Sequence, residues 1–471
     1  VKICLILEGS YPYVRGGVST WADAFIRSMP DHEFILWTIG DLDSKRGQFL
    51  YQLPGNVVGV HENFLDTALE MRVRRRSNIK ISGPEREAIN QLIRCKDPDW
   101  NVLLGLFCEK CKNPLELFMS EDFLDVLKVF CRDEYPYAGF LDLFWTIRSM
   151  FVPLFHLIGH SMPEADIYHS VSTGYAGVLG AMGSLKYGSP MVLTEHGIYT
   201  REREEEILRS DWVVPYFKSL WVAMFYMFSR LAYQQAAYVT TLYSHASQIQ
   251  QEIGCPPEKC TIIGNGVDFG AFSTIPRKSP DGWIDIGAIV RFAPIKDVKT
   301  MIYTFSRLKQ ERDNVRLHIL GGVDDEEYYQ ECLSLIEYLG VKDINIPGLV
   351  DIKAYMQQLD FTLLTSLSEG QPFAILESLA AGRPLVATDV GSCRELIEGR
   401  NGDDFGPAGI CVPPMHQTAL LGALIDMCGD DRLRQRMGET GRERVGAHYE
   451  HNKMIADYQA IYQKASKPWQ A

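Results

Sequence analysis

The run Phe361-Thr362-Leu363-Leu364, followed by Ser368-Glu369-Gly370-Gln371-Pro372-Phe373-Ala374-Ile375-Leu376-Glu377, reads as a buried strand, a tight turn and a helix that stops at Gly382. Pro372 suits a first helical turn, where its missing N–H leaves nothing unpaired. The free amides of that turn, from Gly370 and Gln371 through Phe373 and Ala374, would attract a phosphate oxygen. Glu369 stands just before the helix and Glu377 about one and a half turns inside it. One carboxylate can then reach a sugar hydroxyl and the other a ribose diol. Two glutamates at this spacing are commonly just solvated; the strand, turn and helix around them favour a ligand site.

The same strand–helix rhythm extends outward in both directions. Asp285–Val290, Val315–Leu320, Ile344–Pro347 and Pro384–Thr388 are apolar runs separated by helical patterns. An earlier series comprises 2–7, 33–39, Ile167–Val171, Met191–Thr194, Tyr238–Leu242 and Thr261–Ile263. Strands alternating with helices imply parallel sheets covered on both faces. Ile275-Pro276-Arg277-Lys278-Ser279-Pro280-Asp281-Gly282 has the composition of a linker between the two series. The expected architecture is α/β, two Rossmann-like domains facing across a cleft. Residues 1–276 form the first, with a helical insertion at about 42–150, and 283–450 the second. A terminal helix over 451–471 is expected to pack back on the first domain.

A chain of 471 residues with 46% apolar residues can fill two cores, and 23% charged residues argue against disorder. The net charge of −13 disfavours a general nucleic-acid binder, which needs a basic face. Eleven scattered cysteines and no signal-peptide layout suit a reducing, cytoplasmic compartment. The apolar stretches 140–160 and 212–233 contain charges, and the longest uncharged run in the second is Ser219 to Ser229. A bilayer span needs roughly 20 residues, so both read as core helices.

Three further stretches carry chemistry. Arg291 and Lys296, in Gly287-Ala288-Ile289-Val290-Arg291-Phe292-Ala293-Pro294-Ile295-Lys296-Asp297, follow a strand and could clamp a diphosphate. Arg15-Gly16-Gly17-Val18 follows the first strand and lets backbone approach a ligand, without forming a dinucleotide fingerprint. His196, in Thr194-Glu195-His196-Gly197-Ile198-Tyr199-Thr200-Arg201, stands at a strand terminus, where a structural and a catalytic histidine are about equally expected.

Together these stretches resemble glycosyltransferase family 4, the retaining enzymes of the GT-B fold, over most of the chain. Asn265-Gly266-Val267-Asp268 with Phe272 is similar to that family's motif ending the N-terminal domain. Val386–Gly391 and Arg394-Glu395-Leu396-Ile397 are similar to its segment after the donor helix. Glu8–Ser19 and the run 194–203 resemble the branch that serves the Pel exopolysaccharide system. The resemblance implies that Arg291 and Lys296 hold the diphosphate of a UDP-sugar and stabilise the leaving group. It implies that Glu377 binds the ribose hydroxyls, that Glu369 and amides near Phe373 hold the sugar, and that Gly17 lies against phosphate and sugar. His196 would sit beside the reacting sugar, and the base near Pro347–Val350, at Leu349 and Val350. No bound metal or other cofactor is implied. The polysaccharide would be the acceptor, with inner-membrane components of a synthase complex as further partners.

Other motifs weigh less. Asp41-Leu42-Asp43 has the form of a metal-binding DxD but follows a strand where a solvated turn is expected. Cys108-x-x-Cys111, with Cys95 and Cys131, has zinc-like spacing on a helical pattern that favours packing. His156-x-x-x-His160 lacks the glutamate of a zinc-protease motif. Arg72–Arg76 reads as a solvated face, or as a contact for an anionic membrane or partner. Alternative functions for the same donor pocket are a GT-B epimerase or hydrolase, and a nucleotide-binding scaffold of an export complex.

Overall fold

The computed structural model describes residues 1–68, 71, 79–111, 113–400 and 402–466. The chain divides into two compact units: Val1–Thr241 with Ser247–Thr261 and the segment from Tyr458, and Leu242–Ala246 with Ile262–Asp457.

The first unit is built on a sheet of seven strands: β1 (Lys2–Glu8), β2 (Glu33–Gly40), β3 (Val57–Phe64), β4 (Ile167–Ser170), β5 (Met191–Glu195), β6 (Ala236–Thr241) and β7 (Cys260–Ile262). Their order is β3-β2-β1-β4-β5-β6-β7, parallel from β3 through β6. Ile3 to Leu7 of β1 are all buried, as expected of a strand covered on both faces. The strand order reverses between β1 and β4, which opens a crevice at their carboxyl ends.

The second sheet contains β8 (Ile284–Ile289), β9 (Val315–Leu320), β10 (Ile344–Gly348), β11 (Phe361–Leu364), β12 (Leu385–Thr388) and β13 (Gly409–Val412). Its order is β10-β9-β8-β11-β12-β13, parallel throughout, so the reversal falls between β8 and β11. Segments that leave β8 and β11 therefore flank the second crevice.

Three boundaries differ from the sequence reading. The insertion expected from residue 42 begins only after β3, an edge strand whose half-buried, glycine-interrupted run Val57-Val58-Gly59-Val60 carries no clean alternation. Residues 262–276, expected to close the first domain, belong to the second unit. Val267 there forms a parallel bridge with Glu450, and a Cβ on Gly266 would lie 2.5 Å from the His451 Cα. The terminal helix, His451–Ala465, is divided at Tyr458, which belongs with Tyr462 to the first unit. There the Tyr462 hydroxyl lies 2.5 Å from His169 Nδ1 and that of Tyr458 lies 3.1 Å from Thr194 Oγ1.

The insertion itself is helical, and its last helix is Phe140–Ile158. Among the described residues this is the one helix long and apolar enough to cross a membrane. Its Leu143, Ile147, Met150, Phe151, Leu154 and Ile158 are buried in the first core, as expected of a core helix. The Cys108 thiol donates to the Ile158 carbonyl and that of Cys111 to the Asn113 carbonyl. His156 Nε2 meets Thr67 Oγ1 at 2.9 Å. No group of three metal-ligating side chains converges among the described residues. Asp41 is bound by Lys45 and Asp43 by Arg46, as ordinary turn carboxylates. The basic run Arg72–Arg76 lies outside the described residues.

In the second unit Arg444 and Asp403 form a fully buried ion pair, with contacts of 2.6 and 3.0 Å, and Arg444 Nη1 also donates to the Ile397 carbonyl. Removing one partner strands the other charge away from water. Asp403→Ala is therefore expected to lower unfolding free energy by about 3–5 kcal/mol in urea denaturation. A loss below about 1 kcal/mol would contradict this placement of the pair.

Candidate active site

Arg291 and Lys296 lie in the segment leaving β8, and Ser366 and Glu369 in the segment leaving β11. The two segments are tied by backbone. Leu367 N donates to the Ile295 carbonyl at 2.8 Å, and Thr365 Oγ1 donates to the carbonyls of Lys296 and Asp297. Asp297 adopts a left-handed conformation (φ 46°) and caps helix Val298–Glu311 by accepting from Thr300 N. On the far side, Thr388 Oγ1 donates to the Ser366 carbonyl and Ser392 N to the Gly370 carbonyl. Gly391, at φ 55°, would place a Cβ 2.0 Å from the Glu369 carbonyl oxygen, so only glycine fits there.

Within this frame the sequence-predicted Lys296 and Glu369 meet. Lys296 Nζ lies 2.5 Å from Glu369 Oε1, with side-chain exposures of 16% and 10%. Ser366 Oγ donates to the same oxygen at 2.6 Å. Arg291 pairs with Asp324 at 2.5 Å, both half exposed, and leaves its guanidinium open to a ligand. Phe292 bridges to Val323, and Gly321 N donates to the Gly348 carbonyl, so the ends of β8, β9 and β10 adjoin. Leu349 follows β10, 81% exposed, and Val350 packs on the second core.

Helix Phe373–Ala380 starts with Pro372 as its N-cap, and no side chain caps it. The expected first-turn amides are thus left for a ligand. Gly370 follows Glu369 in the turn, while Gln371 is turned inward. Its Oε1 accepts from Asn265 N, its carbonyl accepts from Asn265 Nδ2, and its Nε2 donates to the Leu242 carbonyl. The Gln371 side chain therefore locks the turn and is not available to a sugar. Phe373 and Ala374 open the helix, and Glu377 is one turn in. Burial pushes the Glu377 carboxyl up to about 7, opposed by the charge of Lys353. No hydrogen-bond donor among the described residues is bound to it.

In the first unit, helix Gly17–Arg27 follows β1, with Gly16 as its N-cap, no side-chain cap, and open space around both glycines. His196 follows β5, its ring edge-on to Trp21 at 4.6 Å. Burial lowers its pKa to about 4, so the imidazole is neutral at pH 7 and Nε2 has no partner among the described residues. Glu8, at the end of β1, was quoted only as part of the run Glu8–Ser19, with no role of its own. Its carboxylate accepts from Tyr199 Oη at 2.7 Å and from Ala176 N at 3.1 Å. Glu195, quoted beside His196 without a role, accepts from Tyr233, Gln250 and Thr173. Burial raises the pKa of both. Ser366 was not singled out, and Asn265 and Gly391 were named within motifs without these roles, which depend on Gln371 and Glu369.

Residues 1–258 match the family described as a domain of unknown function, DUF3492, and residues 284–430 match the family described as glycosyl transferases group 1. The MMP alpha-(1->4)-mannosyltransferase of Mycolicibacterium hassiacum is 29% identical over 296 residues, 61% of this chain and 68% of that protein. The putative colanic acid biosynthesis glycosyltransferase WcaL of Escherichia coli is 32% identical over 31% of this chain and 38% of its own length. Among solved structures, Anabaena HepE in complex with UDP superposes with a TM-score of 0.62, at 15% identity, over 98% of this chain and all of that one. The sucrose-phosphate synthase of Thermosynechococcus elongatus gives 0.61 at 14% identity, over 98% of both chains. These likenesses show the fold: two Rossmann-like domains of the GT-B type.

Glu377 titrates near 7 in the folded chain and near 4.3 when unfolded, so its contribution to stability is fullest below pH 4 and is lost as pH rises through 7. Glu377→Gln, which does not ionise, should match wild type at pH 4. At pH 8 it should be more stable by on the order of 2 kcal/mol in thermal or urea melts. Equal stability at both pH values would contradict the buried carboxylate.

Proposed function

The chain belongs to the DUF3492 family, carries a glycosyl transferases group 1 domain and is a glycosyltransferase, and from that premise we propose that it transfers a sugar from a UDP-sugar to a growing exopolysaccharide, with retention of anomeric configuration. The observation that carries this reading is the Lys296–Glu369 pair at the β8–β11 crevice, with Arg291 and the uncapped helix start on the same strand ends. HepE structures with UDP and with UDP-glucose support UDP as the nucleotide. The runs Glu8–Ser19 and Thr194–Arg203 resemble PelF, the cytosolic glycosyltransferase of the Pel system, and favour Pel as the polymer. That reading puts the enzyme in the cytoplasm, recruited to the inner-membrane surface by its synthase partners.

In this proposal Arg291 and Lys296 hold the diphosphate, and their charge stabilises the oxygen that leaves the sugar. Two resident cations supply this charge, and no bound metal is expected. The first-turn amides of helix Phe373–Ala380 add partial positive charge to the phosphate subsite. Glu369 accepts hydrogen bonds from the donor sugar. Glu377, once ionised, accepts both ribose hydroxyls, and Leu349 offers apolar surface to the base. The family resemblance assigns Gly17 to phosphate and sugar and His196 to the reacting sugar; in this chain His196 is neutral and the start of helix Gly17–Arg27 is uncapped. Attack by an acceptor hydroxyl on the face the diphosphate leaves would retain configuration, with the leaving phosphate taking the proton.

The test is transfer from a panel of UDP-sugars to an oligosaccharide acceptor. Glu369→Ala should abolish transfer while the chain still folds and melts cooperatively, at a lower temperature because Lys296 is left unpaired at a little-exposed site. Lys296→Ala should raise the donor KM and lower kcat by about 10²–10³, since one cation meets both bound and departing phosphate. Wild-type activity in either variant contradicts the site, and donor turnover independent of acceptor points instead to an epimerase or hydrolase.

The ribose assignment has its own pH signature. UDP affinity should rise as pH increases through about 7, because the ionised Glu377 is the better acceptor. Calorimetry of Glu377→Gln should give weaker binding without that rise. A wild-type affinity that stays flat from pH 6 to 8 would contradict it.

A further inference from the structure

Glu369 Oε1 receives two hydrogen bonds, from Lys296 Nζ and Ser366 Oγ, while Oε2 has no partner among the described residues. Resting on the reading of Lys296 and Glu369 as donor ligands, we propose that Ser366 is a positioning residue that holds Glu369 when Lys296 turns to the diphosphate, leaving Oε2 as the single edge that accepts from the sugar. The two donors differ in how freely they can leave. Lys296 has a long flexible stem, and Glu369 is the one acceptor of its ammonium among the described residues. An incoming diphosphate carries more charge than one carboxylate and draws that ammonium away.

Ser366 stays where it is. It is fully buried, its carbonyl accepts from Thr388 Oγ1 at 2.6 Å, and its neighbour Thr365 is bound to the carbonyls of Lys296 and Asp297. The carbonyls of Glu369 and Gly370 press against Gly391, which fixes the backbone that carries the carboxylate. The Glu369 side chain alone retains freedom, about its χ angles, and the Ser366 hydroxyl is what restrains them after Lys296 departs. A carboxylate so held presents one oxygen in one direction, as discrimination among sugar hydroxyls requires.

The experiment compares UDP with the tightest-binding of UDP-glucose, UDP-galactose, UDP-N-acetylglucosamine and UDP-N-acetylgalactosamine, by calorimetry on wild type and Ser366→Ala. UDP affinity should stay within about twofold of wild type, which also verifies the fold. The UDP-sugar affinity relative to UDP should fall about tenfold, the cost of one hydrogen bond to a charged group. An unchanged affinity ratio in Ser366→Ala would overturn the positioning role while leaving the donor site standing. Failure of wild type to bind any of the five nucleotides would overturn the donor reading on which it rests.

Discussion

The candidate site of the second unit depends on bringing a lysine and a glutamate, from the segments that leave two neighbouring strands, into one nearly dry contact. A pair as little exposed as Lys296 and Glu369 loses much of its hydration on folding, and its attraction offsets that loss only when the geometry is fixed in advance. The fixing is done by backbone. The segment after β11 is bound to the one after β8 through Leu367 and Thr365, and to the one after β12 through Thr388 and Ser392. Reversal of strand order at β8 and β11 leaves the space between those segments open, so a charge pair can form there and still meet a ligand.

The two sheets put their polar groups to different uses. In the first unit the carboxylates at the strand ends, Glu8 and Glu195, are saturated by tyrosines and backbone or amide donors, and burial raises their pKa. They are structural anchors for the helices beside them. What the first unit leaves open is a helix start at Gly16–Gly17 and a neutral imidazole at His196. In the second unit the polar groups at the strand ends are ionisable: the Arg291 guanidinium paired with Asp324, the Lys296 ammonium paired with Glu369, and the Glu377 carboxyl, which burial raises to about 7.

Much of this was legible from residues close in sequence. β11 was read with its observed ends, Phe361 and Leu364, and the turn and helix after it followed from Gly370, Pro372 and Gly382. β3 escaped because an edge strand needs only one apolar face and Gly59 interrupts its pattern. β13 escaped because Gly409–Val412 is four residues in a glycine-rich stretch. Candidate site residues were picked out where charge and loop position coincide, as at Arg291, Lys296 and Glu369, of which the fold brings Lys296 and Glu369 into contact. Asn265 and Gly391 were quoted in motifs, but their partners Gln371 and Glu369 are brought near by the fold, and a buried serine such as Ser366 carries no charge or pattern to mark it. The inward turn of Gln371 was hidden for the same reason, since its partner Asn265 is 106 residues away.

The central claim is that the β8–β11 crevice is a uridine nucleotide site built on Lys296 and Glu369. The most direct measurement is calorimetric titration of the full chain with UDP, ADP, GDP and CDP, repeated on Lys296→Met. The account predicts that UDP binds the wild type with one site per chain, that the other nucleotides bind more weakly, and that the variant loses most of the UDP affinity. Absence of binding by every nucleotide, or UDP affinity unchanged in Lys296→Met, would contradict it.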